Sequence, residues 1–417
     1  MSKKLQPVRG TKDLLASEYR LFDHITQAAK RVCGYYGFEQ IATPIFEFTD
    51  VFKRTLGEDS DVVGKEMYNF EDRNGESMTL RPEFTAGIAR AFISNGLQQN
   101  IPLKLFSTGP VFRYERPQKG RQRQFHQVNF ELLGVDNPIA DVEVIAMGRQ
   151  LVDELGVGEH IKLEINSLGD AESRKNYREA LVKYFSSYEA KLSEDSKRRL
   201  KINPMRILDS KDDGDKAIVA NAPVIDEHYS DKAKGFFDVV KSGLDSLGIK
   251  YEVNKRLVRG LDYYCHTAFE FTTDQLGSQN AVLAGGRYDG LMEIMGGPET
   301  PAVGFAGGIE RLMALVELNQ KDVLPCKRPV VLVPIGQDCE FKAVAIANDL
   351  RKKGLFVDFA YNGNVGKRMK KAGKMNASAA IIFGDDELAN KKVKIKDFDS
   401  GVEKDVDIDN IFGELND

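Results

Sequence analysis

FRYERPQKGRQRQFHQVNFE, the stretch Phe112–Glu131, predicts a β-hairpin whose tip is rich in arginine. Arg113 and Glu115 are two residues apart, so their side chains share one face if the first arm is a strand. The tip contains a proline, a glycine and the basic residues Arg116, Lys119, Arg121 and Arg123. Guanidinium groups stay charged and bind phosphate oxygens in pairs, so this tip suits a polyphosphate or an RNA terminus.

A solvated basic loop at a sheet edge is the alternative interpretation of this hairpin, and charge alone does not separate the two. The returning arm favours a binding site, because Gln127 and Glu131 are four residues apart and share one face of a strand. The polar face of this arm therefore predicts a ligand rather than a surface loop.

Short β-rich runs surround the hairpin and predict an antiparallel sheet. Several of them alternate between apolar and polar residues, which suits antiparallel strands better than a series of strand–helix–strand units. The runs are Gln40–Phe46, Met67–Phe70, Met78–Leu80, Leu103–Tyr114, Gln127–Gly134 and Ile161–Ser167. An amphipathic helix precedes them, from about Asp13 to Tyr36, and Gly37 ends it.

Charged helical segments replace the strands between residues 170 and 250, where RKNYREALVKYF and SEDSKRRL are examples. The β-rich pattern returns at Tyr251–Arg256 and continues to Gly308, followed by a helix to about Val316. This interruption predicts a helical subdomain that is inserted into the sheet domain.

The segment Pro301–Leu315, PAVGFAGGIERLMAL, predicts a second turn that faces a ligand. Its glycines lead into a helix whose first turn carries Glu310 and Arg311. Glycine lets a flat ligand approach closely, and Arg311 would project toward that ligand. The spacing does not fit a dinucleotide-binding fingerprint. A tight strand-to-helix turn with a surface ion pair is the alternative that this segment leaves open.

The C-terminal part predicts a separate domain of about 90 residues. The stretch Asn319–Arg328, NQKDVLPCKR, is polar with a proline, and we predict a linker within it at 321–328. Strand and helix patterns then alternate over Val330–Ile335, Asp338–Lys353, Leu355–Phe359, Val365–Lys374 and Ala379–Phe383. This alternation predicts a small, mostly parallel α/β domain over residues 329–417.

The composition limits the class of protein. The 417 residues carry 59 Lys and Arg against 63 Asp and Glu, a net charge of −4, and 42% of them are hydrophobic. These values exclude a disordered chain, a coiled coil and a collagen-like repeat. The length predicts two or three domains. The mildly acidic total argues against a protein that coats DNA, although it is compatible with a local basic groove for RNA.

Cysteine and histidine patterns predict no metal site held by protein side chains. Cys33, Cys265, Cys326 and Cys339 show no paired spacing, and the five histidines are scattered. The opening residues lack the apolar core of a signal peptide, and no apolar run is long enough to span a membrane. We therefore expect a cytoplasmic protein without a membrane partner, in a compartment that keeps cysteines reduced.

Three segments resemble, in the right order, the motifs of class II aminoacyl-tRNA synthetases. Residues 37–47, with Gly37, Phe38 and Pro44-Ile45-Phe46-Glu47, resemble motif 1, the helix and strand of the dimer interface. Phe112-Arg113-Tyr114-Glu115 with Arg121 and Phe125 resembles motif 2, and the run from Gly304 to Arg311 resembles motif 3. Each segment alone is a weak signal, whereas the three in order are specific.

Four further stretches are similar to signatures of the histidyl-tRNA synthetase family. They are RGTKD (Arg9–Asp13), LRPEFT (Leu80–Thr85), LVRGLDYY (Leu257–Tyr264) and GGRYDG (Gly285–Gly290). The resemblance implies a class II catalytic domain of the α+β type over residues 1–320, built on an antiparallel sheet with a helical insertion over 170–250. It also implies that the C-terminal α/β domain, 329–417, is of the anticodon-binding type.

The resemblance implies an enzyme that joins L-histidine to ATP, releases diphosphate, and then transfers the histidyl group to tRNA(His) with release of AMP. An anionic carboxylate must meet an anionic phosphate in the first step, so positioning and charge cancellation dominate. Arg113 and Arg259 would be the catalytic residues, on opposite sides of the α-phosphate. The implied ATP-binding residues are Arg113, Glu115, Arg121, Phe125 and Arg311.

A slot for histidine is implied by the same resemblance. Glu83 with Thr85 and Gln127 would bind the α-ammonium group, and Glu131 with Tyr264 would bind the imidazole nitrogens. The implied histidine-binding residues are Glu83, Thr85, Arg113, Gln127, Glu131, Arg259, Tyr263, Tyr264 and Tyr288. Without the resemblance, Tyr264 and Tyr288 would be assigned to the core, and Arg259 to an ion pair with Asp262.

The expected partners follow from this activity. The tRNA acceptor end would contact Arg116, Gln118, Lys119 and Arg123. The basic helix with Lys367, Arg368, Lys370, Lys371 and Lys374 lies in the domain expected at the anticodon, and a solvated helix face is its alternative. ATP is expected as a substrate with Mg²⁺, and the chain as a homodimer that binds no DNA.

A catalytically silent relative, a regulatory subunit of ATP phosphoribosyltransferase, is the rival function. Such relatives typically lack the C-terminal domain and parts of motif 2 and of the LVRGLDYY signature, all of which this chain has. A synthetase for threonine, proline or glycine would share the three motifs, but it would lack LVRGLDYY and GGRYDG.

Overall fold

The computed structural model describes residues 4–57, 62–118, 120–259, 263–277, 280–320 and 327–416. The chain forms two compact units, Met1–Leu324 and Pro325–Asp417. Residues 321–326 of the predicted linker lie outside the described residues. None of the described helices is long and apolar enough to cross a membrane.

The first unit is built on a large sheet. Its strands are β1 (Glu39–Gln40), β2 (Phe46–Phe48), β3 (Tyr68–Glu71), β4 (Ser77–Leu80), β5 (Leu103–Phe112), β6 (Gln124–Leu133), β7 (Lys162–Ser167), β8 (Glu252–Val253), β9 (Cys265–Thr272), β10 (Ala281–Arg287) and β11 (Ala302–Gly308). Eight of them form one sheet in the order β1-β5-β6-β11-β10-β9-β7-β8. Only the edge pairs β1–β5 and β7–β8 are parallel. The predicted antiparallel sheet is therefore confirmed.

The α-helices of the first unit pack on this sheet or belong to the inserted subdomain. They are α1 (Ala16–Tyr35), α2 (Thr49–Leu56), α3 (Thr85–Ser94), α4 (Ile139–Glu154), α5 (Ala171–Ser186), α6 (Glu194–Ile202), α7 (Asp213–Val219), α8 (Asp231–Ser246), α9 (Leu291–Ile294) and α10 (Ile309–Asn319). The main core joins α1, α4 and α10 to one sheet face, where Phe130 stacks on Phe305 with ring centroids 4.8 Å apart. A second core, which includes Phe84 and Phe92, surrounds α3 on the other side.

Strand β6 shows how the sequence divides its residues between these environments. Val128 and Phe130 are fully buried in the main core. Gln127, Asn129 and Glu131 alternate with them and point to the opposite face, as the two-residue period of a strand requires. The sheet thus presents a row of polar side chains on the face that does not pack on α1.

Helices α5 to α8 lie between β7 and β8 in the sequence, so they interrupt the sheet. Helices α5, α6 and α7 share a small core of their own, which includes Leu181 and Phe185, whereas Phe237 and Leu244 of α8 belong to the main core. The strand predicted over Tyr251–Arg256 is reduced to the two residues of β8. Asn254 and Arg256 instead use their side chains to anchor the chain, Asn254 to Glu164 and Arg256 to the Pro223 carbonyl.

The second unit is an α/β domain with its own sheet. Its strands are β12 (Val330–Pro334), β13 (Val357–Phe359), β14 (Ala379–Phe383), β15 (Lys392–Asp397) and β16 (Glu403–Asp407). Its helices are α11 (Gln337–Lys352), α12 (Val365–Lys374), α13 (Asp385–Ala389) and α14 (Ile411–Asn416). The sheet order is β13-β12-β14-β15-β16.

The expectation of a mostly parallel sheet in this unit is wrong for its second half. β12 pairs in parallel with β13 and β14, whereas β14–β15 and β15–β16 are antiparallel. Val393 and Ile395 alternate with lysines that lie outside the core, which is the pattern of a hairpin strand. The Asp397 carboxylate accepts the Ser400 N–H, and Gly401 has a φ of +72°, so the turn closes within a few residues.

Candidate active site

A cavity of about 270 Å³ opens on the polar face of β6. Its wall includes residues from β6, β9, β10 and β11 and from the chain before α3. All the predicted ATP-binding and histidine-binding residues line it, namely Glu83, Thr85, Arg113, Glu115, Arg121, Phe125, Gln127, Glu131, Arg259, Tyr263, Tyr264, Tyr288 and Arg311. Residues from distant parts of the sequence therefore meet in one enclosed space.

The Glu131 carboxylate lies at the buried end of this cavity. The Thr85 hydroxyl and the Asn129 amide donate to its Oε1 atom, the amide at 3.0 Å. The Tyr288 hydroxyl donates to Oε2. Burial raises the pKa of Glu131 to about 7, although these three hydrogen bonds oppose the shift. The result is a fixed acceptor that can change its charge near neutral pH.

Glycines create the space that this carboxylate occupies. A Cβ atom on Gly304 would lie 1.7 Å from Glu131 Oε2 and 2.4 Å from the Phe130 carbonyl oxygen. A Cβ atom on Gly286 would lie 3.0 Å from the ring of Tyr264. Both positions are therefore restricted to glycine by close approach, in agreement with the role predicted for the glycines of Pro301–Leu315.

Three tyrosines form the wall beside Glu131. The ring centroids of Tyr263 and Tyr264 are 4.6 Å apart, and those of Tyr263 and Tyr288 are 5.6 Å apart. Tyr263 and Tyr288 belong to the core around α3, and Tyr264 packs against it. The tyrosines therefore pack in or against the core, which was the alternative interpretation of Tyr264 and Tyr288, and they also line the cavity, as the family resemblance implies.

Glu83 lies just before the N-terminus of α3 and faces the same cavity. Its carboxylate accepts the backbone N–H groups of Thr85 and Ala86, where the helix dipole favours a negative charge. Burial raises the pKa of Glu83, while these hydrogen bonds and the charge of Arg113 act in the opposite direction. The helix start thus holds a second carboxylate near Glu131.

Two buried acceptors between these carboxylates have no donor among the described residues. They are Gln127 Oε1 and Asn129 Oδ1. Buried polar atoms are nearly always satisfied, so these two indicate a ligand with N–H groups. Asn129 was not among the predicted site residues, although its position between Gln127 and Glu131 on one strand face is a signal that could have found it.

Three guanidinium groups, those of Arg113, Arg121 and Arg311, also line the cavity. Burial lowers the pKa of Arg311, and the positive charges of Arg121 and Arg113 lower it further. Arg311 is held by the Ala281 carbonyl at 2.8 Å, and the Arg113 guanidinium lies 5.5 Å from the centroid of the Phe125 ring. Like charges in such proximity favour the binding of an anion.

Glu115 contributes a negative charge at the edge of this cluster, because its Oε2 atom is 3.0 Å from Arg121 Nε. Glu310, which follows the glycines of β11, instead accepts hydrogen bonds from the backbone and ring of His126. His126 is therefore part of the structural support of the site.

Arg259 reaches the cavity from the segment before β9. Its Nη1 atom is 2.6 Å from Glu270 Oε1, and its guanidinium lies 5.2 Å from the centroid of Tyr264. The Nε atom is buried without a hydrogen-bond partner among the described residues. Burial lowers the pKa of Arg259, but Tyr264 and Glu270 outweigh it and the pKa is raised overall, so the group stays charged.

The partner of Arg259 was not foreseen. Asp262, considered as its partner from the sequence, lies outside the described residues, and Glu270 on β9 takes the contact. Glu270 also lines the cavity. Its position six residues after Tyr264 on a strand gives no periodic signal that connects it with Arg259.

Three of the residues assigned to tRNA, Arg116, Gln118 and Arg123, do not line the cavity. Arg116 and Gln118 are exposed on the hairpin tip, and Lys119 lies outside the described residues. Arg123 packs its guanidinium 3.9 Å from the centroid of Tyr114, and its backbone N–H donates to the Gly10 carbonyl. Arg123 thus connects the RGTKD stretch to the base of the hairpin.

Within the described ranges, no group of three or more histidine, cysteine or acidic side chains is arranged to hold a metal ion. The cavity is lined by three arginines, by the carboxylates of Glu83 and Glu131, and by two buried acceptors without a donor among the described residues. Such an arrangement can bind a polyphosphate beside a small cationic molecule that carries several N–H groups.

Comparison with known proteins identifies the family. A family model described as histidyl-tRNA synthetase matches residues 10–312, and a model described as anticodon binding domain matches residues 329–417. The chain belongs to the histidyl-tRNA synthetase family. The family resemblance predicted from the sequence is thereby confirmed, together with the class II catalytic domain and the C-terminal anticodon-binding-type domain.

Individual members of this family match almost the whole chain. A histidine–tRNA ligase of Rhodospirillum rubrum is 58% identical over 397 residues, which are 95% of each chain. A histidine–tRNA ligase of Wolbachia pipientis is 55% identical over 97% of this chain and 98% of its own. The crystal structure of apo histidyl-tRNA synthetase from S. aureus superposes with a TM-score of 0.84 at 35% identity, covering 99% of this chain and 100% of that chain.

The buried Glu131 side chain predicts that the stability of the protein depends on pH. Its pKa is raised from an ordinary 4.5 to about 7, so the folded state binds a proton more tightly than the unfolded state does. The stabilisation is complete below pH 4.5 and is lost as the pH rises to 7, by roughly 3 kcal/mol. Urea unfolding of the free enzyme between pH 5 and 8 should show this loss.

Glu131→Gln is the control for that measurement, because glutamine keeps the shape of the side chain and does not titrate. The difference in unfolding free energy between wild type and Glu131→Gln should therefore change with pH. Parallel pH profiles for the two proteins would contradict the raised pKa.

Proposed function

We propose that this cavity carries out both steps of histidine–tRNA ligation, which is the activity of the family. Histidine and ATP would give histidyl-adenylate and diphosphate, and the histidyl group would then move to tRNA(His) with release of AMP. The main support for this proposal is that one cavity contains an arginine cluster, two buried carboxylates and two buried acceptors without a donor among the described residues.

In the activation step, a carboxylate oxygen of histidine attacks the α-phosphorus of ATP, and the bond from that phosphorus to the diphosphate oxygen breaks. Arg113 and Arg259 would balance the negative charge from two sides. The Arg259 Nε atom supports this role, because it is a buried hydrogen-bond donor without an acceptor among the described residues. Both residues would act through position and charge rather than by proton transfer.

ATP would occupy the end of the cavity with Arg113, Arg121 and Arg311. Phe125 and Glu115 would contact the adenine, and the two arginines beyond Arg113 would bind the outer phosphates. The pKa of Arg311 is lowered by burial and then by the positive charges of Arg121 and Arg113, which supports a polyanion as the ligand of this cluster. We also propose that ATP enters as its Mg²⁺ complex, since carboxylates of Glu115 and Glu270 line this region.

Histidine would occupy the other end. Its α-ammonium group would lie near Glu83, Thr85 and Gln127, and its imidazole between Glu131 and Tyr264, with Tyr263 and Tyr288 as the wall. The Thr85 hydroxyl proton is directed to Glu131, so only its oxygen lone pairs are available to the ammonium group. A slot with buried acceptors leaves them unpaired when an apolar amino acid enters, which excludes such amino acids by about 10⁴–10⁵.

The test is ATP–diphosphate exchange with each of the twenty amino acids in turn. Histidine alone should support exchange, and removal of Mg²⁺ with EDTA should stop it. A protein of the rival function, the regulatory subunit, would show no exchange with any amino acid. Exchange with a second amino acid at a comparable rate would contradict the assignment of the slot.

For tRNA, we propose that the hairpin tip contacts the acceptor end. Arg116→Ala should raise the KM for tRNA about threefold to tenfold and lower the slope of log KM against log salt by about one, because one phosphate contact is lost. Aminoacylation at several salt concentrations measures both. Diphosphate exchange, which needs no tRNA, should stay unchanged in the same variant, and a fall in exchange would instead place Arg116 at the chemistry.

We also propose a homodimer in the cytoplasm, where ribosomes use the product. The motif 1 region supports the dimer, because the aromatic residues Phe46, Phe48 and Phe70 of the small β2-β4-β3 sheet are about half exposed. Neighbouring exposed aromatic residues favour a protein interface. Light scattering on the intact protein tests it, and a monomeric mass at micromolar concentration would contradict it.

A further inference from the structure

The inserted helices α5 and α8 contact the chain directly beside the proposed histidine slot. Tyr263 and Tyr264 precede β9, and Tyr288 follows β10. These two strand ends carry the tyrosine wall. Both contacts are made from outside the cavity wall, since neither Arg174 on α5 nor Phe236 on α8 lines the cavity.

Arg174 on α5 connects the insertion to the first strand end. Its Nη1 atom donates to the backbone carbonyl of Tyr264 at 3.2 Å. The Tyr264 ring faces the cavity, and its packing against Arg259 depends on where this backbone lies. A helix of the insertion thus sets the main-chain position of a slot residue.

Phe236 on α8 contacts both strand ends. Its ring stacks on His266, with centroids 4.5 Å apart and planes 27° apart, and the Arg287 guanidinium lies 5.1 Å from its centroid. His266 follows Tyr264 by two residues, and Arg287 directly precedes Tyr288. One aromatic ring therefore packs against the flanking residues of both parts of the tyrosine wall.

His266 has a backbone conformation that requires such support. Its φ is +42°, in the left-handed region that favours glycine. Its N–H donates to the Gly169 carbonyl at 3.0 Å, and its carbonyl accepts from Leu168. A strained backbone conformation persists where its surroundings hold it in place. At His266 the two backbone hydrogen bonds hold the main chain, and the Phe236 ring holds the imidazole side chain.

Arg287 is fixed as firmly. Its side chain is fully buried and pairs with Asp141, and its Nη1 atom is 3.1 Å from Asp289. The Tyr288 hydroxyl that follows it donates to Glu131. Phe236 therefore packs on Arg287, and the next residue, Tyr288, donates a hydrogen bond to the Glu131 carboxylate in the cavity.

We propose that Arg174 and Phe236 are positioning residues of the histidine slot, acting from the insertion on Tyr264 and Tyr288. The proposal rests on the histidine site assigned above. Loss of either contact lets the tyrosine wall move relative to Glu131, and small displacements of this kind weaken binding strongly. Arg113 and Arg121 belong to the hairpin between β5 and β6, and Arg311 belongs to α10, so the KM for ATP should change less than the KM for histidine.

Steady-state diphosphate exchange with the full-length protein tests the proposal. Arg174→Ala and Phe236→Leu should each raise the KM for histidine about tenfold, while the KM for ATP changes less than about twofold. Arg174→Lys, which can still donate to the Tyr264 carbonyl, should recover most of the loss.

Matched controls come from the same helices. Arg178 on α5 also donates to a backbone carbonyl at 3.2 Å, that of Ile202, and Val239 on α8 is an exposed apolar residue. Arg178→Ala and Val239→Ala should leave both KM values unchanged. Thermal unfolding of each variant separates a local effect from a general loss of stability.

Three results would overturn the proposal. One is an unchanged KM for histidine in both variants. Another is a parallel rise of both KM values with a lower melting temperature and no recovery in Arg174→Lys, which would show a general structural role. The third is a wild type without histidine-dependent exchange, which would remove the histidine site itself and is distinguished from the other two by the wild-type control.

Discussion

Arg259→Ala should reduce the kcat of histidine-dependent diphosphate exchange by about 10²–10³-fold. The guanidinium is held by Glu270 and Tyr264 with one buried N–H left unpaired, so it is fixed before the substrate arrives. A charge that is already in place stabilises the transition state without any cost of reorganisation. Alanine removes that charge and leaves Glu270 without its cation.

The size of the effect on kcat distinguishes catalysis from binding. If Arg259 only bound histidine, the KM would rise and kcat would be retained at saturation. Arg198→Ala is a matched control, because Arg198 is more than half exposed on α6 and pairs only with helix neighbours. Far-UV circular dichroism checks the fold of both variants. Exchange by Arg259→Ala within tenfold of wild type would remove Arg259 from the catalytic residues.

Gly304→Ala should abolish histidine activation although it adds only one methyl group. The new Cβ would lie 1.7 Å from Glu131 Oε2, closer than any real contact, so the carboxylate must leave its position. Its hydrogen bonds with Thr85, Asn129 and Tyr288 depend on that position. We expect the KM for histidine to rise by at least about a hundredfold.

Gly290→Ala is the matched control for this variant. Gly290 belongs to the GGRYDG signature and has a φ of −85°, and a Cβ there would meet no atom within 4 Å. It should behave as wild type. ATP binding, followed by calorimetry, should survive in Gly304→Ala because the atoms nearest to the new Cβ belong to Glu131 and Phe130. Normal histidine affinity in Gly304→Ala would show that Glu131 does not take part in recognition.

Local periodicity predicted the elements of the fold well. The first helix, predicted from about Asp13 to Tyr36, extends over Ala16–Tyr35, and the basic helix Val365–Lys374 has the predicted bounds. The strand predicted over Tyr251–Arg256 failed because tertiary contacts of Asn254 and Arg256 replace the ladder there. The C-terminal hairpin of β15 and β16 was not predicted, because the strand and helix patterns identified in the sequence end at Phe383.

The candidate site was predicted mainly through the family signatures. Strand alternation alone placed Gln127 and Glu131 on one face, and the structure has them so. Convergence of Arg113, Arg259 and Arg311 has no local signal, because it depends on the order of strands in the sheet. The Arg259–Glu270 pair was missed for the same reason. The chemical roles of these residues stay predictions.

The register of strand β6 determines both which side chains fill the core and which side chains line the cavity. Val128 and Phe130 fill the core while Gln127, Asn129 and Glu131 line the cavity, so a frame slip of one residue would exchange the two sets. A deletion or duplication of any residue in this short span would bury a carboxylate among phenylalanines and present a benzyl group to the substrate. We therefore expect length variation to be forbidden along this strand.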